Sequence, residues 1–308
     1  MRISQIGGII AAASKKEAFP LLQVGNIPII RRIVITYQQA GIFPIVIITG
    51  ADEEAVKDQL SPFGLIFIHN DNCENPELID SAKIGLRYLK DKCDKIVFTP
   101  VNVPMFTPST LKKLISSDAK VATPSYCGKG GHPIVIRNDV VDRVLSYCGN
   151  NGLRGAISNF KEERQWVKVD DIGITLSIHN EEQLQARLAE HNRSILNSFV
   201  RVSIEKERAF FDSRAKLLLY LIGDSGTVKK ACNAMALSNA KAWNILNNLE
   251  RELGYAIVER QQGGSRGGNT QLTEKGKVFI TAYQRFEENV LRYAQSEFER
   301  LFEESNLV

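Results

Sequence analysis

From Ile6 to about Asn192, short apolar runs alternate with segments in which apolar residues recur every three or four positions. IGGIIAAA, FPIVIITG, LIFIHN, DKIVFTPVNVP and KVATPSY read as strands; IPIIRRIVITYQQAG, EEAVKDQLSPFG, LIDSAKIGLRYLKDKC and TPSTLKKLISS read as helices between them. PIVIITG and KIVFTPV are apolar on both faces, which suits central strands of a parallel sheet covered by helices on each side. HPIVIRNDVVDRVLSY, GLRGAISNF, RQWVKVDDIGITLSIHN and a helical EEQLQARLAEHN complete a first domain, expected over residues 1–195.

Near Ser198 the pattern changes, and a second domain is expected over residues 196–308. SFVRVSIEKERAFF alternates like a strand hairpin, and DSRAKLLLYLIGDSG is a helix capped by Asp212 or Ser213 and closed by glycine. TVKKACNAMA and SNAKAWNILNNLERELG are two further helices separated only by Leu237. A strand YAIVERQ, a glycine-rich QGGSRGGN, a return strand from Asn269 to Thr273 and a long final helix end the chain.

Length and composition agree with two folded domains: 308 residues, 44% hydrophobic and 24% charged. No apolar run reaches the roughly 18 residues of a membrane span, and the first residues lack a secretory cleavage pattern, so a cytoplasmic protein is expected. Five cysteines (Cys73, Cys93, Cys127, Cys148, Cys232), with no CxxC spacing, argue against disulfides and zinc and read as buried or half-buried thiols. Between Thr227 and Lys277 there are eight basic residues against four acids, so the local surplus, 8 − 4 = +4, equals the net charge of the whole chain. A surplus confined to one small module hints at a polyanionic partner.

Two short helices in close succession, the second entered through Ser238, form a helix-turn-helix pattern. On the second, Ala242, Leu246, Leu249 and Leu253 make one buried stripe. The opposite face carries Lys241, Asn244, Asn248 and Arg251, with Ser238 and Asn239 at the tip, groups able to reach base edges and phosphates. The GGSRGG loop, with Arg266 at its centre, has the form of a wing resting on a DNA backbone. The segment from Phe210 to Gly276 resembles the DNA-binding domain of ModE-type molybdate-dependent regulators, relatives of the LysR-type winged helix. The resemblance rests on the SxxxAW entry (Ser238, Ala242, Trp243), GGxxGG (Gly263, Gly264, Gly267, Gly268) and LTxxG (Leu272, Thr273, Gly276). It implies a winged helix-turn-helix, a homodimer on palindromic double-stranded DNA, and pairing of the final helix with its mate through Phe279, Tyr283, Phe286, Val290, Tyr293, Phe298 and Leu301. Trp243, beside the leucine stripe, is assigned to packing.

Residues 1–192 resemble MobA-like nucleotidyltransferases of molybdenum cofactor biosynthesis, which implies a Rossmann-like, three-layer α/β domain. In that family a strand ends in AAGxSxRMGxxK; this chain has AAASKKEAFPLL, with Ala13 in the first glycine's place, no arginine, and Phe19 near the lysine position. The aspartate of GDxP that holds Mg²⁺ corresponds to Asn102, and the two acids of DIDTPED to Ser177 and His179. Other segments match: GKGGHPIVI, GNNGLRGAI and LIDSAKIGL around Ser81. No catalytic residue is therefore assigned, and no metal or obligate cofactor is expected. The resemblance implies a molybdopterin-type or nucleotide ligand near Lys15, Lys16, Ser81, Asn102, Gly131 and His132. A core-satisfied or capping histidine is an equal alternative for His132.

The favoured expectation is a transcriptional regulator tied to molybdenum metabolism, whose nucleotidyltransferase-like domain is a pseudoenzyme sensing a small-molecule effector. The alternatives are an active molybdenum cofactor cytidylyl- or guanylyltransferase with a regulatory module, drawing on Lys15, Lys16, Asp170 or Asp171, and a first domain that serves only as a dimerisation scaffold.

Overall fold

The computed structural model describes residues 5–13, 19–24, 27–72, 77–178, 200–261 and 269–303. The expected helix at 181–192, and Lys15, Lys16, His179 and Arg266, lie outside the described residues. The chain forms two compact units, residues 1–59 with 67–196 and residues 60–66 with 197–308.

In the first unit one sheet holds β1 (Ile6–Ala11), β4 (Ile45–Thr49), β5 (Ile66–His69), β6 (Lys95–Pro100), β7 (Val121–Tyr126), β9 (Ile134–Arg137) and β10 (Arg164–Lys168), in the order β10-β7-β9-β6-β1-β4-β5. β2 (Gln23–Val24) and β3 (Ile27–Pro28) form a separate antiparallel pair, and β8 (Lys129–Gly130) turns back on β7. β1 runs parallel to both β4 and β6, and β10 runs parallel to β7, while β9 is antiparallel to its two neighbours. After β5 the chain returns to place β6 on the far side of β1. The strand order therefore reverses beside β1, and the crevice beyond the carboxyl ends of β1 and β6 is where open α/β sheets place ligands.

The helices are α1 (Ile29–Gln39), α2 (Glu53–Leu60), α3 (Leu78–Leu89), α4 (Pro108–Ile115), α5 (Val141–Leu145) and α6 (Gly152–Ser158). Alternation along β1 explains their layering. A Cβ on Gly7 would lie 2.7 Å from Cys93 Sγ just beyond α3, whereas one on Gly8 would lie 2.6 Å from the Tyr37 ring on α1. Successive strand residues face opposite sides of a sheet, so α1 and α3 cover different faces, and both come close enough that the strand tolerates only glycine. α4 packs beside α1, and α5 and α6 beside α3.

The second unit contains a hairpin, β11 (Ile204–Glu205) and β12 (Ala209–Phe211), then α7 (Ser213–Ser225), α8 (Val228–Ala234), α9 (Asn239–Leu253), β13 (Val258–Gln261), β14 (Asn269–Leu272) and α10 (Glu274–Phe298). Each helix starts on the cap that its sequence offers: Asp212 Oδ1 accepts from Arg214 N and Ala215 N, and Thr227, Ser238 and Thr273 accept from Lys230 N, Lys241 N and Gly276 N. Such caps each contribute about 1 kcal/mol. The turn between α8 and α9 is longer than the single Leu237 expected: α8 ends at Ala234, and Ala236 takes a left-handed φ of 50°.

Two expectations are corrected. Phe279 and Tyr283 do not face outward for a partner; their rings meet Phe211 edge-on at 4.9 and 4.6 Å, and Tyr283 is buried. Of the other residues expected there, Phe286, Tyr293 and Leu301 are exposed and Val290 and Phe298 half-buried, and Val278, outside that expectation, is exposed as well. Cys93 and Cys232 are buried, but Cys127 and Cys148 are exposed because they sit in turns outside the packed layers.

Candidate functional site

At the crevice of the first unit, Ala12 N donates to Ile48 O and Val101 N to Ala11 O, both at 2.9 Å, so the sheet ladder reaches one residue past β1. Ala12 is buried and Ala13 half-buried. Phe19 is also buried, filling hydrophobic space with the side chain that stands near the expected lysine position.

Two substituted positions meet here. Asn102, just past β6, donates through Nδ2 to Ser177 Oγ at 2.8 Å, and its backbone carbonyl accepts from Ile178 N at 2.8 Å. The same 172–178 loop touches the turn before β9: His132 N donates to Ile174 O at 3.0 Å. A Cβ on Gly131 would lie 2.0 Å from that carbonyl, so the close approach requires glycine. Asn102, Ser177, Gly131 and His132 are thus joined through one loop. Ser81 sits apart, buried on α3 with its Oγ 3.5 Å from Asn70 Nδ2.

Among the described residues the donor set does not fit a divalent cation. Asn102 and Ser177 are neutral and turned to each other, and a hard dication favours anionic oxygens. Asp171, a carboxylate that the active-enzyme alternative draws on, is occupied elsewhere. It is buried and accepts from Thr107 N (2.9 Å), Thr107 Oγ1 (3.2 Å), Thr110 Oγ1 (2.7 Å) and Gly173 N (2.9 Å). Its role is to pin the start of α4 to the 172–178 loop. Asp170 is exposed.

The His132 ring lies edge-on to Phe98 at 6.0 Å. Burial of the ring pushes its pKa down to about 4, against an opposing hydrogen bond with the Phe98 backbone. Nδ1 is buried without a partner, although the residue as a whole is partly exposed. The imidazole is therefore neutral at pH 7 and contributes packing and one unused acceptor, not charge.

In the second unit α9 buries Ala242, Leu246 and Leu249. Leu253 is half-buried; Asn239, Lys241, Asn244, Asn247 and Arg251 are exposed, and Asn248 is half-buried. The Ser238 hydroxyl is the helix cap. A groove of about 680 Å³ lies between α9 and the β12–α7 corner, where Asn244, Asn247, Asn248 and Arg251 line it opposite Phe210, Asp212 and Arg214. Arg251 donates to Asn248 Oδ1 and lies 3.0 Å from Glu252 Oε1.

Two residues escaped the sequence reading. Asn247 lies three positions after Asn244 and four before Arg251, so the helical period could have found it. Arg260, on β13, could not be found that way: its guanidinium covers the Trp243 ring at 4.5 Å and donates to Asn247 Oδ1 at 2.9 Å. Trp243 is accordingly half-buried between helix and wing strand, outside the leucine stripe. Glu250 fixes that strand, its Oε1 accepting from Ile257 N and Val258 N at 2.9 and 3.1 Å.

Comparison with known proteins follows the same division. Residues 19–165 match the family model of the MobA-like NTP transferase domain. The first unit carries a MobA-like NTP transferase domain. A nucleotidyl transferase from Methanothermobacter superposes with a TM-score of 0.53 at 17% identity, over 62% of this chain and 99% of its own. A Mycobacterium tuberculosis protein solved with manganese does so at 0.52 and 17%, over 60% of this chain and 99% of its own. At such identity the likeness is one of fold. The C-terminal part is similar to the molybdenum transport protein ModE of Azotobacter vinelandii, 33% identical over 100 residues, covering 32% of this chain and 35% of that protein. It is also similar to the DNA-binding transcriptional dual regulator ModE of Escherichia coli K12, 31% identical over 78 residues, covering 25% of this chain and 30% of that protein. The molybdenum-pterin-binding protein MopB of Rhodobacter capsulatus is 30% identical over 95 residues, covering 31% of this chain and 35% of that protein. The chain thus spans about a third of the length of these curated relatives. A MobA-like domain and a ModE-like segment stand in one chain.

Proposed function

We propose that this protein is a dimeric DNA-binding transcriptional regulator of molybdenum-related genes, and that its MobA-like domain is a ligand sensor that has lost nucleotidyl transfer. The observation carrying this reading is the hydrogen bond between Asn102 and Ser177, two neutral groups at positions where the family resemblance implies metal-holding carboxylates. Metal-assisted phosphoryl transfer depends on charge neutralisation, so a crevice with this donor set supports binding better than catalysis. The capped α9 with its exposed amides and basic groups supplies the DNA surface. Lys241 and Asn239 stand at the tip, Asn244, Asn248 and Arg251 further along, and Arg266 belongs to the wing loop. Asn102, Gly131, His132, Lys15 and Lys16 are assigned to the ligand, a molybdopterin-type or nucleotide compound, whereas Ser81, buried against Asn70, supports the crevice from α3.

An effector alters DNA affinity only through a difference in its own affinity for two states of the protein. The test is fluorescence-anisotropy binding of the full chain to its own upstream DNA at fixed salt, with and without molybdopterin, its nucleotide derivative and molybdate. Specific binding that one pterin compound shifts is the expected result. Specific binding that none of them shifts removes the sensor, and metal-dependent nucleotide transfer by the same protein replaces it with an enzyme.

A further inference from the structure

We infer that Arg260 of the wing strand locks Asn247 into a donor-only orientation, so that this position of α9 selects a keto base, guanine or thymine, over adenine. The inference rests on the DNA-binding reading and names a specificity-determining pair within it. Arg260 Nη2 donates to Asn247 Oδ1 at 2.9 Å, and the guanidinium is itself held over Trp243 at 4.5 Å with Glu250 Oε2 at 3.7 Å. An arginine has no acceptor, so the chemistry of the neighbour decides which end of the amide faces it. The carbonyl turns back to the wing strand, and the amino group is what Asn247 offers outward.

An asparagine that reads adenine uses both ends, donating to N7 and accepting from the N6 amino group. With its carbonyl taken up by Arg260, Asn247 loses that paired geometry. Its amino group is matched by major-groove acceptors, which guanine presents at N7 and O6 and thymine at O4; adenine offers N7 alone, beside an N6 amino group that a donor-only amide leaves unsatisfied. Asn248 is held in the same sense by Arg251. Asn244, whose side chain has no hydrogen bond among the described residues, keeps both ends for a base edge. Three amides of one type on one helix thus differ in what they can read, through neighbours rather than identity.

The test is selection of duplexes from a randomised library by the full chain at fixed salt, followed by sequencing, for wild type, Asn247→Ala, Asn247→Asp, Arg260→Ala and Arg260→Gln. The base pair whose preference disappears in Asn247→Ala is the one Asn247 reads. There the wild type should favour guanine or thymine over adenine by about tenfold. Arg260→Ala should raise adenine at that position alone by at least about threefold, and Arg260→Gln, which offers an acceptor as well as a donor and so no longer fixes the amide, should raise it too, but by less. Asn247→Asp, an acceptor, should turn the preference toward cytosine. Melting temperature and an unchanged preference at the other positions separate this from general damage to the wing. Adenine preferred there by the wild type overturns the inference, as does a profile that neither Asn247→Ala nor Arg260→Ala alters. If the wild type selects no sequence at all, the DNA-binding reading falls as well, an outcome distinct from a clear motif with the wrong base.

Discussion

Asn102 Nδ2 donates to Ser177 Oγ across 2.8 Å, closing with two neutral side chains a gap between segments 75 residues apart in sequence. The bond ties the turn after β6 to the 172–178 loop. Asn102→Asp puts one carboxylate back, and the Ser177 hydroxyl can donate to it. The variant should therefore fold with a melting temperature within about 2 °C of wild type, since a neutral hydrogen bond contributes only about 1 kcal/mol. It should gain a thermal shift with Mn²⁺ that the wild type lacks. Nucleotidyl transfer should stay undetected in both, because Ser177 still stands neutral where the family resemblance implies a second acid. A Mn²⁺ shift in the wild type would count against the neutral-pair account.

Asp171 gathers four donors from Thr107, Thr110 and Gly173. Removing it leaves the backbone N–H groups of Thr107 and Gly173 without that acceptor, and losing a buried charged acceptor costs about 3 kcal/mol. Asp171→Ala should therefore lower urea stability by about that amount, and Asp171→Asn by less, since one oxygen persists. Hydrogen exchange at the Thr107 and Gly173 amides should accelerate in both variants. Unchanged exchange there would remove Asp171 from its pinning role.

Burial holds the His132 ring at a pKa of about 4, against an ordinary value of 6.5. Between those two values the unfolded chain binds a proton that the folded chain refuses, so stability rises with pH. The contribution is complete above about pH 6.5 and is lost as pH falls toward 4, reaching about 2 kcal/mol at pH 5. Urea unfolding at pH 7.5 and pH 5 should show this difference, and His132→Phe should flatten it. An equal slope in the variant would place the titrating group elsewhere.

Much of this architecture is legible in the residues. β4 and β6 announce themselves as two-faced apolar runs, and Asp212, Thr227, Ser238 and Thr273 mark helix starts because a short polar side chain before an apolar period serves as a cap. The substituted crevice is legible too, as a comparison of positions. What remained hidden depends on contacts distant in sequence. That Asn102 and Ser177 bond each other, that Asp171 is taken by Thr107 and Thr110, and that Arg260 reaches Asn247 all follow from chain crossings that no local period encodes. The outward face of α10 was misjudged for a related reason: Phe279 and Tyr283 share a helical period with Phe286, but Phe211 arrives from β12 to cover them.

Lys216 on α7 reaches Glu287 on α10 at 2.6 Å, with only 10% and 20% of their side chains exposed. Tyr283 adds to this cluster, its hydroxyl donating to Val202 O at 2.8 Å and lying 3.4 Å from Glu287 Oε1. Burial, and then the neighbouring Glu287 charge, push the Tyr283 pKa well up, so it remains a neutral donor. A mostly buried pair adds little over an apolar pair of the same shape, yet breaking it from one side leaves an uncompensated charge. Lys216→Met alone should thus cost about 2 kcal/mol, and Glu287→Gln alone a comparable amount, because each strands the other's charge beside Phe211 and Tyr283. The double variant should recover at least about 1 kcal/mol relative to the sum of the singles, a coupling that separated sites do not show. In a unit of this size each kcal/mol moves the melting temperature by about 4 °C, so the cycle is measurable by calorimetry. Strict additivity would mean that the two charges are solvated independently.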